Sequence, residues 1–303
     1  MGPLQGARPK PVGARLSGRR RDRAPGQDDR VNGAERAARE RTLSTRRMAP
    51  IASAMRDGSM SSFEKGASAM NAMSQHHSQP NEAGESPLVR DLKIPPVGLS
   101  GTLHVPSGAR AVVLFAHGSG SSRFSPRNQA VADALNKRRI GTLLFDLLTP
   151  REETDRANVF DIALLAQRLE DAVRFLEQET AASGLTLGFF GASTGAAAAL
   201  VAAARLGDRI GAVVSRGGRP DLAGQVLEHV RAPTLLIVGG VDFGVIELNE
   251  QAFAMLQGPK AIEIVPGATH LFPEPGALEA VIEHAARWFE RYLVMSHAVR
   301  QES

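Results

Sequence analysis

The chain has 303 residues, of which 43% are hydrophobic and 22% are charged, and it contains no cysteine. The lack of cysteine excludes disulfide bonds, a thiolate nucleophile and cysteine-ligated metal sites. No stretch reaches about 18 consecutive apolar residues, so the sequence predicts no transmembrane helix. The first residues also lack the apolar core of a secretory signal. We therefore predict a soluble, cytoplasmic protein without a membrane partner.

Positive charge is concentrated at the beginning of the chain. Residues 1–50 contain 13 Lys and Arg against 5 Asp and Glu, whereas the other 253 residues contain 23 against 27. The isoelectric point near 9.9 therefore reflects a basic leader and not a basic folded domain. Since the remaining residues are slightly acidic, their charge does not predict nucleic-acid binding.

Residues 1–85 form this leader and have the composition of a disordered segment. They are rich in Arg, Gly, Ala, Ser and Pro and poor in aromatic and β-branched residues, so they cannot bury enough apolar surface to offset the entropy of ordering. We expect residues 296–303 to form a flexible tail. Internal methionines such as Met48 offer later start sites, so one interpretation is that the leader is not translated. A targeting peptide and a tail for an acidic partner are the alternatives.

A folded domain is predicted over residues 88–295. Alternating segments at 90–94 and 99–105, joined by a Pro-rich and Gly-containing turn, predict an antiparallel pair. Helical segments then alternate with apolar runs whose near-continuous character is typical of strands buried on both faces. This order predicts a mostly parallel sheet with helices on both faces and no large lid, the α/β-hydrolase plan. The six apolar runs are 111–116, 141–145, 185–190, 210–215, 234–238 and 261–265; the helices are 128–137, 162–176, 196–205, 222–230, 245–256 and 278–292.

The sequence LTLGFFGASTGAAAALVAAARL, residues 185–206, contains a Gly-x-Ser-x-Gly motif between a strand and an Ala-rich helix. In a nucleophile elbow this turn is so tight that only small residues fit beside the nucleophile, as Gly191 and Gly195 do here. We predict Ser193 as the nucleophile. The alternative is a plain strand-to-helix turn in which Ser193 caps the helix.

A serine nucleophile needs a base and a carboxylate that orients the base, in the chain order Ser, Asp or Glu, His on this fold. Asp242 follows the strand predicted at 234–238, and His270 follows the strand predicted at 261–265. Both should therefore lie at the carboxyl edge of the sheet, where Ser193 projects. The alternatives are that Glu247 supplies the carboxylate while Asp242 only forms a turn, and that His270 is a core histidine.

The segment HGSGSSRFSPRN, residues 117–128, is typical of a loop that stabilises an oxyanion through main-chain N–H groups. We predict one donor at Gly118 or Ser119 and the other at Thr194, with the loop donor left open. His117 precedes the predicted base in the chain, so we expect it to hold the loop and not to transfer protons.

Three arginines lie in the predicted site loops: Arg123 follows the first strand of the parallel run, and Arg216 and Arg219 follow residues 210–215. A guanidinium group suits carboxylate or phosphate, so an anionic substrate is one hypothesis. The alternative is that these arginines bind neighbouring acidic residues such as Asp221. We predict no cofactor and no metal ion, because the triad chemistry requires neither.

Six segments resemble the bacterial α/β-hydrolases of the dienelactone hydrolase-like family. They are FAHGSGSSR, FDLLTPREE, GFFGASTGAAAALVAA, SRGGRPDLA, TLLIVGG and PGATHLF, and the resemblance covers roughly residues 88–293. It implies that Ser193, Asp242 and His270 match the triad of the family. Dienelactone hydrolases proper use a cysteine nucleophile, which this chain lacks. Some family members are fused to a phosphoribosyltransferase domain, and the leader carries no signature of one.

The sequence thus predicts a serine hydrolase that acts on ester, lactone or related acyl bonds of small molecules. The alternatives are an acyltransferase or thioesterase on the same fold, and a non-catalytic small-ligand binding module. No nucleic-acid partner is expected, and a homo-oligomer is compatible with the sequence.

Overall fold

The computed structural model describes residues 87–295 together with Gly2. The predicted leader and the predicted tail at 296–303 lie outside the described residues, apart from Gly2. Within residues 87–295, no helix is long and apolar enough to cross a membrane.

The described domain is built on one eight-stranded sheet. The strand order is β1-β2-β4-β3-β5-β6-β7-β8; β2 pairs antiparallel with β1 and with β4, and all other neighbours are parallel. The predicted fold class, with its leading antiparallel pair, is confirmed. The strands are β1 Leu88–Ile94, β2 Leu99–Val105, β3 Ala111–Ala116, β4 Gly141–Phe145, β5 Thr186–Ala192, β6 Ile210–Arg216, β7 Thr234–Gly239 and β8 Lys260–Val265.

Helices cover both faces of the sheet and create two hydrophobic cores. One core contains buried residues of the helices at 162–178 and 194–206, and the other contains buried residues of the helices at 126–137 and 277–289. The helices are α1 Pro126–Lys137, α2 Arg156–Phe160, α3 Ile162–Gln178, α4 Thr194–Leu206, α5 Val245–Met255 and α6 Ala277–Phe289. Shorter 3₁₀ segments are Glu152–Thr154, Thr180–Ala182, Gly207–Arg209 and Pro220–His229, and Glu290–Met295 is a π-helix.

Two predicted elements differ from the structure. The predicted helix at 222–230 is a 3₁₀ segment, Pro220–His229, which is interrupted where Gly224 adopts a positive φ of 55°. Glycine reaches this conformation without steric cost, so the chain bends there instead of continuing an α-helix. The strand predicted at 261–265 was expected to be buried on both faces, but most of β8 is only partly buried. The reason is that β8 forms the edge of the sheet.

Helix α4 lies in the centre of the fold, directly after β5. Eleven of its thirteen residues are buried, because alanines on every side let neighbouring elements approach closely.

The segment from Arg216 to Pro220 is short, and no large lid follows β6 among the described residues. The connection after β4 contains the short helices Glu152–Thr154 and Arg156–Phe160.

Candidate active site

Ser193 lies at the turn between β5 and α4 in a strained backbone conformation. Its φ is 51° and its ψ is −124°, and its side chain makes no capping hydrogen bond to the helix. A positive φ is uncommon for a residue with a β-carbon and points to a functional constraint. The capping role considered for Ser193 is therefore absent from this structure, whereas the strained turn expected of an elbow is present.

Glycines flank Ser193 because the turn leaves no room for side chains. A β-carbon on Gly191 would lie 2.5 Å from the Cα of Ala196, and a β-carbon on Gly195 would overlap the carbonyl oxygens of Ala116 and His117. Contacts this short essentially never occur between unbonded atoms. The small residues therefore allow β5, α4 and the loop after β3 to meet at Ser193.

Asp242 and His270 are joined by a hydrogen bond between loops that leave neighbouring strands. The Nδ1 atom of His270 lies 2.8 Å from Oδ2 of Asp242. The Asp242 side chain is 12% exposed and the His270 side chain is 36% exposed, so the carboxylate is the better buried partner. A proton on Nδ1, donated to the carboxylate, leaves Nε2 free to accept another proton. Glu247, the alternative carboxylate, is exposed in the first turn of α5.

The loop after β6 connects the surroundings of Ser193 and His270. The backbone N–H of Arg219 donates to the carbonyl oxygen of Ser193 at 3.0 Å. Gly217 has a φ of 50°, and a β-carbon there would lie 2.7 Å from the carbonyl oxygen of His270. The buried Asn249 of α5 donates to the carbonyl oxygen of Gly218 at 3.1 Å. This loop therefore contacts both Ser193 and His270, and its hydrogen bond with Asn249 fixes it to α5. Sequence analysis did not identify this role of Asn249.

Glu274 fixes the loop that carries His270. It accepts one hydrogen bond from the Thr269 hydroxyl at 2.6 Å and another from the Thr269 N–H at 3.1 Å. The hydrogen bond from the Thr269 side chain lowers the pKa of Glu274, so the carboxylate form is favoured. Sequence analysis did not identify this contact, although the five-residue spacing within one loop is a local signal.

The loop after β3 lies against Ser193. A β-carbon on Gly118 would lie 2.8 Å from Cβ of Ser193, so only glycine permits this approach. The backbone N–H of Ser119 donates to the hydroxyl of Thr194 at 3.1 Å. That N–H is therefore engaged in this structure, which favours Gly118 over Ser119 as the donor of the loop. The Thr194 side chain, which sequence analysis did not consider, ties the loop to α4.

His117 has a structural position. Its Nε2 accepts a hydrogen bond from the N–H of Leu147 at 3.1 Å, and its Nδ1 lies 3.1 Å from the carbonyl oxygen of Gly118. Since an N–H can only donate, Nε2 is unprotonated and Nδ1 carries the proton. Burial lowers the pKa of His117, although the hydrogen bond to Gly118 opposes the shift. The imidazole is therefore neutral and links two loops, as expected for a residue that holds the loop.

A cavity of about 380 Å³ opens beside Thr194. The loop after β3 supplies polar atoms on one side, while leucine and valine side chains supply an apolar wall on the other, so the cavity can take a small acyl or alcohol group. It is lined by His117, Gly118, Ser119, Gly120, Ser121, Ser122, Leu147, Leu148, Glu153, Val159, Leu165 and Thr194.

The three arginines predicted to bind substrate have different partners. The guanidinium of Arg123 pairs with Asp146, and that of Arg219 pairs with Asp221 through two hydrogen bonds of 2.8 Å. Arg216 is buried, and its Nη2 donates to Oδ1 of Asn128 at 3.2 Å. Asp221 was considered from the sequence as a partner, whereas Asp146 was not.

Comparisons with known proteins agree with this architecture. The sequence profile of the dienelactone hydrolase family matches residues 127–296. A dienelactone hydrolase from Anabaena variabilis is 52% identical, with a TM-score of 0.66 over 69% of this chain and 99% of that chain. Est1E from Butyrivibrio proteoclasticus is 15% identical, with a TM-score of 0.56 over 66% of this chain and 98% of that chain, and shows a shared fold.

Two strains of Mycobacterium tuberculosis have a relative that is provisionally named a phosphoribosyl transferase. It is 55% identical over 216 residues, which are 70% of this chain and 49% of the relative. The chain therefore spans about half the length of the curated relatives it matches. The family profile and the similarity to the Anabaena protein over nearly its whole length identify the described domain. The chain belongs to the dienelactone hydrolase family.

Proposed function

We propose that this domain is a serine hydrolase that cleaves ester or lactone bonds of small molecules. The hydrogen bond between His270 and Asp242 carries the proposal. It directs Nδ1 of the imidazole to the carboxylate and leaves Nε2 for the role of general base in the proposed reaction. The strained backbone of Ser193, at the tight turn after β5, is a second observation in its favour.

In the proposed reaction, Ser193 Oγ attacks the acyl carbonyl carbon while His270 Nε2 takes the hydroxyl proton. The carbonyl electrons move to the oxygen and return when the alcohol leaves, and His270 gives that alcohol its proton. Water, activated by His270, then attacks the acyl-enzyme and releases the acid and Ser193. Asp242 remains a carboxylate throughout and stabilises the imidazolium form of His270.

The oxyanion is proposed to be stabilised by the backbone N–H groups of Thr194 and Gly118. Thr194 is the first residue of α4, whose N-terminus favours negative charge. Gly118 approaches Ser193 closely enough for its main chain to contact a bound carbonyl group. One such donor typically contributes about 10²–10³ in kcat.

The adjacent cavity supports a small substrate with an apolar portion. Leu147, Leu148, Val159 and Leu165 form the apolar wall. Because the cavity begins beside Thr194, an acyl or alcohol group placed there would lie next to the carbonyl bound at Ser193.

The name of the Mycobacterium relative belongs to a protein about twice as long as the matching region. Since the match covers 49% of that relative, a name given to the whole relative does not direct the proposal for this domain. The function of the complete relative is a separate question from the chemistry at Ser193.

A fluorophosphonate probe with intact-mass detection tests the proposal. We expect one adduct on the wild-type protein, none on Ser193→Ala, and an unchanged adduct on Ser183→Ala, an exposed serine outside the site. An adduct that persists in Ser193→Ala would contradict the assignment of the nucleophile. The lack of any adduct on folded wild-type protein would favour the binding module.

A further inference from the structure

Within the described domain, Arg216 and Arg127 are cationic side chains without an acidic partner. Arg216 is 5% exposed, and among residues 87–295 its guanidinium makes one hydrogen bond, to the neutral side chain of Asn128. The Nε atoms of both arginines are buried and lack a hydrogen-bond partner in the described part of the chain. Within residues 87–295, neither guanidinium takes part in an ion pair. A buried charge without a counter-charge is unfavourable, so the local structure favours the arrival of an anion.

The two guanidinium groups also repel each other. Two causes lower the pKa of Arg216 to about 10: burial, which is the larger cause, and the positive charge of Arg127. Arg216 remains positively charged at neutral pH, because this pKa is still well above 7. Two positive charges favour a dianion over a monoanion, because the attraction increases with the charge of the anion.

Helix α1 adds to the positive potential. Arg127 and Asn128 lie in its first turn, after the capping residue Ser125. The N-terminus of a helix of this length carries partial positive charge and favours anions. The unpartnered, buried Nε of Arg216 is a separate observation that points to the same ligand.

This cationic pair lies close to the reacting groups. Arg216 ends β6 and is paired in register with Ala192, the residue before Ser193. The next residue, Gly217, packs against His270. Because paired strands are about 4.8 Å apart, the Arg216 backbone is a direct neighbour of the nucleophile turn. An anion bound by Arg216 would therefore belong to a molecule within reach of Ser193.

We propose that Arg216 and Arg127 bind a phosphate group of the substrate. The site is distinct from the oxyanion donors at Thr194 and Gly118. The phosphate would neutralise Arg216, as Asp146 neutralises Arg123 and Asp221 neutralises Arg219. The assignment of this phosphate to a substrate rests on the proposed hydrolase function. The physiological substrate would then be an acyl ester or lactone that also carries a phosphate monoester.

Calorimetric titration of the full chain with inorganic phosphate at pH 7.5 tests the site without any need for hydrolysis. We expect millimolar or tighter binding, at least about tenfold weaker in Arg127→Gln and in Arg216→Gln, because each variant removes one charge-assisted contact. Arg219→Gln is the matched control, since Arg219 is already paired with Asp221, and it should bind phosphate as the wild type does. Thermal melts establish that each variant is folded. If Arg216→Gln does not fold, Arg127→Gln still tests the site, because the partly exposed Arg127 can be replaced with less effect on packing.

Three results would overturn the phosphate site. They are no phosphate binding to the wild type, equal binding to Arg127→Gln, and acetate binding as tight as that of phosphate. A second measurement tests the link to the substrate: phosphate should slow fluorophosphonate labelling of the wild type but not of Arg127→Gln. Labelling that is insensitive to bound phosphate would overturn that link. If phosphate binds but Ser193 is never labelled, the hydrolase proposal fails while the anion site stands.

Discussion

The backbone N–H of Ser119 donates to the hydroxyl of Thr194 at 3.1 Å, which connects the loop after β3 to the first turn of α4. Thr194 is 5% exposed, whereas Ser119 is exposed, so the bond joins a buried acceptor to a loop at the surface. The contact holds Gly118 close to Thr194, and the N–H groups of these two residues are the proposed oxyanion donors. The Thr194 side chain is therefore a positioning group, whereas its N–H is the proposed donor.

Replacement of Thr194 by valine should weaken this connection. The variant removes the acceptor of the Ser119 N–H, so the loop after β3 loses this connection to α4. We expect kcat for a short acyl ester to fall about tenfold or more with a smaller change in KM, as for a misplaced oxyanion donor. Thr194→Ser retains the hydroxyl and should restore kcat. Equal kcat values for Thr194→Val and the wild type would contradict the positioning role.

Asp242→Asn tests which carboxylate orients His270. An amide can favour the wrong imidazole tautomer, and we expect kcat to fall by about 10³–10⁴. Glu247→Gln is the matched control, because Glu247 is exposed in α5 and was the alternative in the sequence. Steady-state kinetics on a chromogenic ester measures both variants. A larger loss in Glu247→Gln than in Asp242→Asn would reverse the assignment.

Gly195→Ala tests the packing of the elbow. The added methyl group would overlap the carbonyl oxygens of Ala116 and His117, so α4 and the loop after β3 must separate. Overpacking of this kind costs about 1–3 kcal/mol, and misplacement of a catalytic group by about 1 Å can reduce the rate about 10²-fold. Urea denaturation and kcat/KM provide the two measurements. Ala204→Gly in the same helix is the control, and it should lose about 1 kcal/mol with activity retained.

His117 should make stability depend on pH. Burial lowers its pKa in the folded state, so the unfolded chain binds a proton at a higher pH than the folded chain does. The contribution of His117 to the free energy of unfolding is fully present above its unfolded-state pKa of about 6.5. This contribution is lost as pH falls below about 6.5 toward the lowered pKa of the folded state. Urea denaturation at pH 7.5 and pH 5.5 should therefore show a larger loss for the wild type than for His117→Gln.

The exposed His229 provides the control for this measurement. His229→Gln should keep the wild-type pH dependence, because an exposed imidazole is solvated in both states. The same loss of stability in His117→Gln and in the wild type would mean that another group controls the acid sensitivity.

Much of the architecture follows from local patterns in the sequence. The apolar runs and the helical stripes predict the order of strands and helices, because a buried parallel strand and an amphipathic helix have different periodicities. The Gly-x-Ser-x-Gly segment predicts the strained turn at Ser193, since small residues are required on both sides of it. Asp242 and His270 were predicted together because both follow parallel strands, and their hydrogen bond agrees with that expectation.

Other features depend on contacts between distant parts of the chain. Arg123, Arg216 and Arg219 look alike in the sequence, but folding brings Asp146 to Arg123 and the neutral amide of Asn128 to Arg216. Similarly, the sequence left the loop donor open, and the approach of Thr194 to Ser119 favours Gly118. The sequence by itself determined the order of elements and the residue types at the turn, because these depend on neighbours along the chain. Only the tertiary structure decided which charges are neutralised and which N–H groups remain free, because side-chain pairing depends on packing across the sheet.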